Sequence, residues 1–168
     1  MSGSFYDFGV GQSSDEVAVA EPPTPKAPTA SPSLGSFGSP QTPAGEGVQA
    51  VVEACAQLTR SLDGVLAVIV ATSDGMLIHS TWNEVEGMRA AAISAAALGL
   101  GQRIASDFGQ GDFHDSVVST GDRAIGIYAV GDRYVLGVVA EAEKVSLGLL
   151  HLSSRQTAAT LERILVRP

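Results

Sequence analysis

The first part of the folded region predicts one helix and a strand hairpin. Residues 48–62 place apolar side chains at spacings of three and four, which indicates an amphipathic helix that ends near Asp63-Gly64. The run VLAVIVA at 65–71 is continuously apolar and β-branched, so it predicts an interior strand covered on both faces. A turn at Ser73-Asp74-Gly75 leads to a return strand over 76–82.

The second part predicts a long helix, three strands and a final helix. Residues 84–108 read as a helix opened by the acidic Glu84 and Glu86. Strands follow over 113–120, 124–130 and 134–140, with turns at Gly121-Asp122 and Gly131-Asp132, and an amphipathic helix closes the chain over 147–165. The order αββαβββα predicts a five-stranded antiparallel sheet with helices on both faces, an α/β (α+β) sandwich.

The second predicted helix has an unusual surface. One face carries large apolar residues and is expected to pack on the sheet. Its members are Ile93, Ala97, Leu100, Ile104 and Phe108. The other sides hold mostly alanine and glycine, with Met88 and Leu98 placed on the outer side, and residues 90–102 carry no charge. A helix that is apolar all round is normally buried all round, so something outside the domain is expected to cover it.

Two glycines in this helix favour a close neighbour. Gly99 and Gly101 each cost about 1 kcal/mol relative to alanine in a helix, which implies a packing benefit such as close backbone approach. The economical candidate is the same helix of a second copy, with Arg89 and Arg103 at the rim. The alternative is that the alanines merely supply helix propensity.

Proline usage divides the chain. Seven of the eight prolines lie between Pro22 and Pro43, in a segment rich in Ser, Thr and Gly. Such a segment buries too little apolar surface to offset the entropy of ordering, so residues 1–45 are predicted to be a disordered tail and 46–168 the folded domain. PxxP spacings and the aromatic cluster near Phe5 indicate either short docking motifs or a solvated tether.

Charge and cysteine content narrow the function classes. A net charge of −8 and a pI near 4.7 argue against nucleic acid and anionic membrane surfaces as partners. The start of the chain lacks a signal-peptide pattern. Inside the predicted folded part the longest uncharged stretch, 90–102, is shorter than the roughly eighteen residues of a membrane span. The single Cys55 fits a buried thiol in a reducing compartment, so a cytoplasmic location is expected.

The motifs of common enzymes fail in this sequence. The segment from Gly121 to Gly126 has the glycine spacing of a phosphate-binding loop but lacks its lysine. The GxGxxG fingerprint of dinucleotide-binding proteins is incomplete at both Gly99-x-Gly101 and Gly109-x-Gly111, because the third glycine is missing. His79, His114 and His151 lie on three different predicted elements without the spacing of a metal pair, and a GxSxG elbow is missing. We therefore predict no catalytic residue, cofactor or metal, and a protein that is not an enzyme.

Three segments together resemble the Roadblock family of dynein light chain related domains, in its bacterial, gliding-protein-B-like branch. These segments are SLDGVLAVIVATSDGMLIHS (61–80), AAAISAAALGLGQRIASDFGQG (90–111) and the stretch from YAVGDRYVLGVVAE to SLGLLHLSSR (128–155). The resemblance covers residues 47–166 and implies a Roadblock/profilin-like fold. It also implies a small Ras-like GTPase as partner, with the family acting on that partner rather than through catalytic residues of its own.

The resemblance further implies a homodimer made through the second helix and the third strand. The GTPase would then dock on the paired helices, and a sensor kinase or another protein could bind the tail. The positions predicted for pairing and partner contact are Arg89, Ala92, Ile93, Ala96, Gly99, Leu100, Arg103, Phe113, Ser116, Val117, Val118 and Ser119. The alternatives are a small-ligand sensor and a purely structural dimerisation module.

Overall fold

The computed structural model describes residues 45–109 and 111–166, and the predicted tail lies outside them apart from Gly45. The elements follow the predicted order αββαβββα. They are α1 (Gly45–Ser61), β1 (Val65–Thr72), β2 (Leu77–Ser80), α2 (Glu84–Phe108), β3 (Asp115–Ser119), β4 (Arg123–Val130), β5 (Tyr134–Glu141) and α3 (Leu147–Leu165). The third strand is shorter at both ends than the predicted 113–120, and the bounds of α2 are those predicted.

The five strands form one antiparallel sheet in the order β2-β1-β5-β4-β3. The strand β1 pairs with both β2 and β5, so its predicted interior position is confirmed. Its side chains alternate between two apolar clusters, with Val68 in one and Ile69 in the other. This alternation explains why β1 is apolar without interruption. The strands β2 and β3 are the two edges of the sheet.

Helices cover both faces of the sheet, as predicted. On one face, α1 and α3 pack together, and their Cys55, Leu58 and Leu150 join a cluster with residues of β1, β4 and β5. On the other face, α2 lies alone and contributes Ala91 and Leu98 to the second cluster. The sheet is therefore covered by two helices on one side and by a single helix on the other.

The tight turns agree with the glycine signals. Gly75 has a φ of 91°, and it closes the β1–β2 hairpin with a hydrogen bond from its N–H to the carbonyl of Thr72. The turn at Gly121-Asp122 has two residues, because the N–H of Thr120 bonds to the carbonyl of Arg123. The β4–β5 turn is one residue longer than predicted, since Val130 pairs with Tyr134.

A side-chain cap fixes the start of α2. Asn83 precedes the helix, and its Oδ1 accepts a 3.0 Å hydrogen bond from the N–H of Glu86. Glu86 in turn accepts a 2.8 Å bond from the Asn83 side-chain amide. This reciprocal pair satisfies an N–H that the first helical turn leaves free. The helix therefore begins where its acidic residues indicated.

The predicted orientation of α2 is wrong. Its sheet-facing residues are small, apart from one leucine, and are Gly87, Ala91, Ser94, Leu98 and Gly101. The larger residues assigned to the sheet, Ile93, Leu100, Ile104 and Phe108, are exposed, and Ala97 is half-buried. Leu98, which was placed on the outer side, is buried. The helix has two apolar stripes, and the one with smaller side chains packs on the sheet.

Close approach of α2 to the sheet is the physical reason for this orientation. A Cβ at Gly87 would lie 2.8 Å from the Cβ of Ser80, closer than real Cβ contacts allow. In the centre of the sheet, a Cβ at Gly137 would lie 2.5 Å from Oγ of Ser94. The helix and the strands therefore pack closely because glycine on one element faces serine on the other. Larger residues at these positions have no room between helix and sheet.

Within the described residues, none of the helices is long and apolar enough to cross a bilayer.

We predict that Leu136→Ala destabilises the domain by about 2–5 kcal/mol, because it removes a fully buried side chain from the central strand and leaves a cavity. The matched variant Leu152→Ala truncates a leucine that is 55% exposed, so its effect should stay within about 0.5 kcal/mol. Urea unfolding followed by circular dichroism measures both free energies. Equal losses for the two variants would contradict the described core.

A second prediction concerns Cys55, whose buried position raises the pKa of its thiol from 9.0 to about 12. The unfolded thiol ionises near pH 9 while the folded one stays protonated, so the free energy of unfolding should fall as the pH rises from 9 towards 12. In Cys55→Ala this fall should be smaller. Thiol labelling at about pH 8.5, near the ordinary thiol pKa, should be slow in buffer and fast in urea, whereas rapid native labelling would contradict burial.

Candidate interaction surface

The outward face of α2 is apolar over most of its length. Val85, Ile93, Leu100 and Ile104 are each more than half exposed, and Phe108 is 88% exposed. Between them lie small exposed residues, Ala92, Ala96 and Gly99. From residue 89 to residue 103, charged side chains occur only at the two ends, which are arginines. Exposed apolar area this continuous is typical of a surface that binds another protein.

The strand β3 adds a free edge beside this helix. It pairs with β4 and with no other described strand, so half of its backbone N–H and C=O groups are open. Ser116 and Val118 lie opposite Ile127 and Ile125, which pack in the α2-side cluster, so both point to the α2 side. Val117 points to the other side of the sheet.

A groove joins the helix to the strand. It has a volume of about 690 Å³, and Leu100, Ile104, Phe113 and Val118 are among the apolar residues that line it. Polar residues, among them Arg155, also line the groove. The outward face of α2, the groove and β3 therefore form one continuous surface, which we call the α2–β3 surface.

The structure places the predicted interface residues on α2, on β3 and between these two elements, and Val117 and Ser119 point away from the α2 side. Seven lie exposed on α2: Arg89, Ala92, Ile93, Ala96, Gly99, Leu100 and Arg103. Four lie on β3: Ser116, Val117, Val118 and Ser119. Phe113 is half-buried between the two elements. Sequence reasoning missed Ile104 and Phe108 as surface residues because it had assigned them to the sheet-facing side.

The two predicted glycines have different surroundings. A Cβ at Gly99 would meet nothing within 4 Å, so the space over this residue is open. A Cβ at Gly101 would lie 2.3 Å from the ring of Phe113, so that space is filled from within the chain. The prediction that both glycines admit an external neighbour is therefore wrong for Gly101.

Arg103 is held only loosely. Its Nε donates a 2.8 Å hydrogen bond to Oδ2 of Asp107 one turn later, but the arginine side chain is 76% exposed. Exposed pairs of this kind contribute about 0–1 kcal/mol. The guanidinium can therefore turn to a partner at little cost.

A polar cluster on the opposite side of the sheet attaches β3 to α3. Asp115 opens β3, and its Oδ1 lies 3.6 Å from Nδ1 of His151, while its Oδ2 lies 3.9 Å from Nε of Arg155. The ring of His151 also lies 5.9 Å from that of Tyr128. Sequence reasoning did not bring these residues together, because Asp115 is more than thirty positions from His151 and only the fold brings their elements into contact.

Among the residues the structure describes, no group of three or more His, Cys, Asp and Glu side chains is placed to hold a metal ion. The α2–β3 surface itself offers apolar side chains, open backbone groups and the exposed Arg89 and Arg103 of α2. That combination suits recognition of another protein surface.

Comparison with known families identifies the chain. The family model of the Roadblock/LC7 domain matches residues 51–140, more than half of the sequence. The chain belongs to the Roadblock/LC7 domain family. The matched region of this Roadblock/LC7 chain includes α2 and β3, so the α2–β3 surface belongs to the family domain itself.

Solved structures share the fold of this Roadblock/LC7 chain. A Roadblock/LC7 domain from Streptomyces avermitilis aligns with a TM-score of 0.65 at 17% identity, over 68% of this chain and 97% of the other. MglB from Myxococcus xanthus gives 0.64 at 22% identity, over 72% and 93%. The gliding protein MglB from Thermus thermophilus gives 0.64 at 18% identity, over 82% and 98%. A comparison with curated protein sequences gives no match.

Proposed function

We propose that this Roadblock/LC7 chain is a non-catalytic homodimeric regulator or scaffold that binds a small Ras-like GTPase. Its role would be to modulate the nucleotide state or the location of that GTPase in a bacterial signalling or polarity system, in the cytoplasm. The observation that carries the proposal is the α2–β3 surface, where large apolar side chains stand exposed beside an unpaired strand edge. Membership of the Roadblock/LC7 family supports a small GTPase as the class of partner.

The composition of this surface supports the proposed self-pairing. Covering Leu100, Ile104 and Phe108 removes apolar area from water, which stabilises by about 25 cal/mol per Å² before the cost of association is subtracted. A second copy presents the same apolar face, so a two-fold arrangement satisfies both at once. Antiparallel pairing of β3 with its copy would also satisfy the open backbone groups and join two sheets into one.

The open space over Gly99 supports a close crossing of two α2 helices. Glycine here costs about 1 kcal/mol relative to alanine, and no contact within the described chain offsets that cost. A second helix crossing at this point would be able to approach to short interaxial distance, as small residues allow. Ala96 and Ala92 lie about one and two turns earlier, and both are small and exposed, so this part of the helix surface also lacks bulky side chains.

The GTPase is proposed to dock on the paired helices, with Arg89 and Arg103 at the rim of the contact. Both side chains are exposed, and the one ion pair of Arg103 is weak, so they can engage acidic groups of a partner. The chain as a whole is acidic, with a net charge of −8, so these two arginines are positive groups on a mostly negative protein. The proline-rich tail provides a second attachment, for a sensor kinase or another protein, in this proposal.

Self-pairing is tested with Ala96→Glu. The variant places an unpaired carboxylate in the proposed interface, so it should turn the wild-type dimer, twice 17.2 kDa, into a monomer of 17.2 kDa. The matched control Ala159→Glu adds the same charge to an exposed position of α3 and should stay dimeric. Size-exclusion chromatography with light scattering measures the masses. If the wild-type protein is a monomer at micromolar concentration, the proposed homodimer is contradicted.

GTPase binding is tested with a purified Ras-like GTPase of the same organism, loaded with GDP or with a GTP analogue. Arg103→Glu should weaken binding about fivefold, as expected for loss of a rim charge pair, and should change its salt dependence. Arg60→Glu reverses a similarly exposed charge on α1 and should bind as wild type does. Biolayer interferometry gives the affinities, and no binding of wild type in either nucleotide state would contradict the proposal.

A further inference from the structure

The ring of Phe113 occupies a notch in α2. Gly101 is buried on the sheet-facing side of the helix, and an added Cβ there would lie 2.3 Å, 2.6 Å and 2.6 Å from three atoms of the ring. All three distances are below those that real Cβ atoms show, so the ring lies against the bare backbone of the helix. Any side chain at position 101 would occupy the place that the ring now fills.

Phe113 also connects the two halves of the α2–β3 surface. It stands two residues before β3 begins, and it packs in the cluster under α2. The same side chain lines the groove with Leu100 and Ile104. The strand itself is hydrogen-bonded on one edge only among the described strands, through β4. A displacement of Phe113 would therefore change the wall of the groove directly beside the start of the free strand.

We propose that Phe113, seated on Gly101, is a positioning residue that holds the edge strand β3 at the level of the outward face of α2, so that one partner surface engages both. The inference rests on the proposed self-pairing and adds the element that sets its geometry. Gly101 thus serves the interface from inside the chain, whereas Gly99 faces it directly.

A methyl group on Gly101 would disturb this arrangement in a specific way. The ring cannot stay in the notch, and the groove is the open volume beside it, so the ring moves into the space that the second copy would fill. A shorter side chain at position 113 relieves the conflict. The effects of the two positions on dimerisation should therefore be strongly coupled.

The experiment is a double-mutant cycle on dimerisation. Gly101→Ala should raise the dimer dissociation constant about tenfold or more, within the range for residues in contact, and Gly101→Ala/Phe113→Leu should recover most of that loss. Gly148→Ala is the matched control, because its Cβ would meet only Oγ of Ser146 at 3.9 Å on α3. Sedimentation equilibrium gives the constants, and circular dichroism confirms that each variant is folded.

The outcomes separate this inference from the dimer itself. If wild type is monomeric, the proposed self-pairing fails. If wild type is dimeric and Gly101→Ala has the wild-type dissociation constant, or if the double variant is no tighter than Gly101→Ala, the positioning role is overturned. Should Gly101→Ala not fold, Phe113→Ala carries the test: it should weaken the dimer and speed hydrogen exchange in β3, and wild-type values for both would overturn the inference.

Discussion

The close approach of α2 to the sheet is the constraint on which the other features depend. It is made where side chains are missing or minimal, at Gly87 against Ser80 and at Ser94 against Gly137. Because α2 covers its face of the sheet alone, its axis must lie near the strands for their apolar residues to be enclosed. Small residues permit this, and large ones on the same side would lift the helix away.

The same constraint produces the exposed surface. A helix that gives its small residues to the core must place its large apolar residues elsewhere, and in this chain Leu100, Ile104 and Phe108 face outward. They stand beside β3, which keeps one edge open. In a monomer both features face water, whereas the proposed partner would cover both together. Core packing and the proposed recognition surface are thus two consequences of one helix orientation.

The two faces of the sheet have different roles in this view. On the α1–α3 face, large aliphatic residues form the main core, and Asp115 of the edge strand lies 3.6 Å from His151 and 3.9 Å from Arg155 on α3. On the α2 face, the core is thinner and Phe113 ties the same strand to the helix. The strand is therefore anchored from both sides at its beginning and left open along its edge. That arrangement suits the self-pairing proposed for this Roadblock/LC7 chain.

The sequence by itself determined the element order, the bounds of α2 and the interior position of β1. These depend on local periodicity, turn residues and caps, which neighbouring positions specify. Which stripe of α2 meets the sheet was decided only by the tertiary structure. Periodicity defines a stripe but not its direction, and the decisive fits, Gly137 under Ser94 and Phe113 in the notch of Gly101, join side chains of different elements.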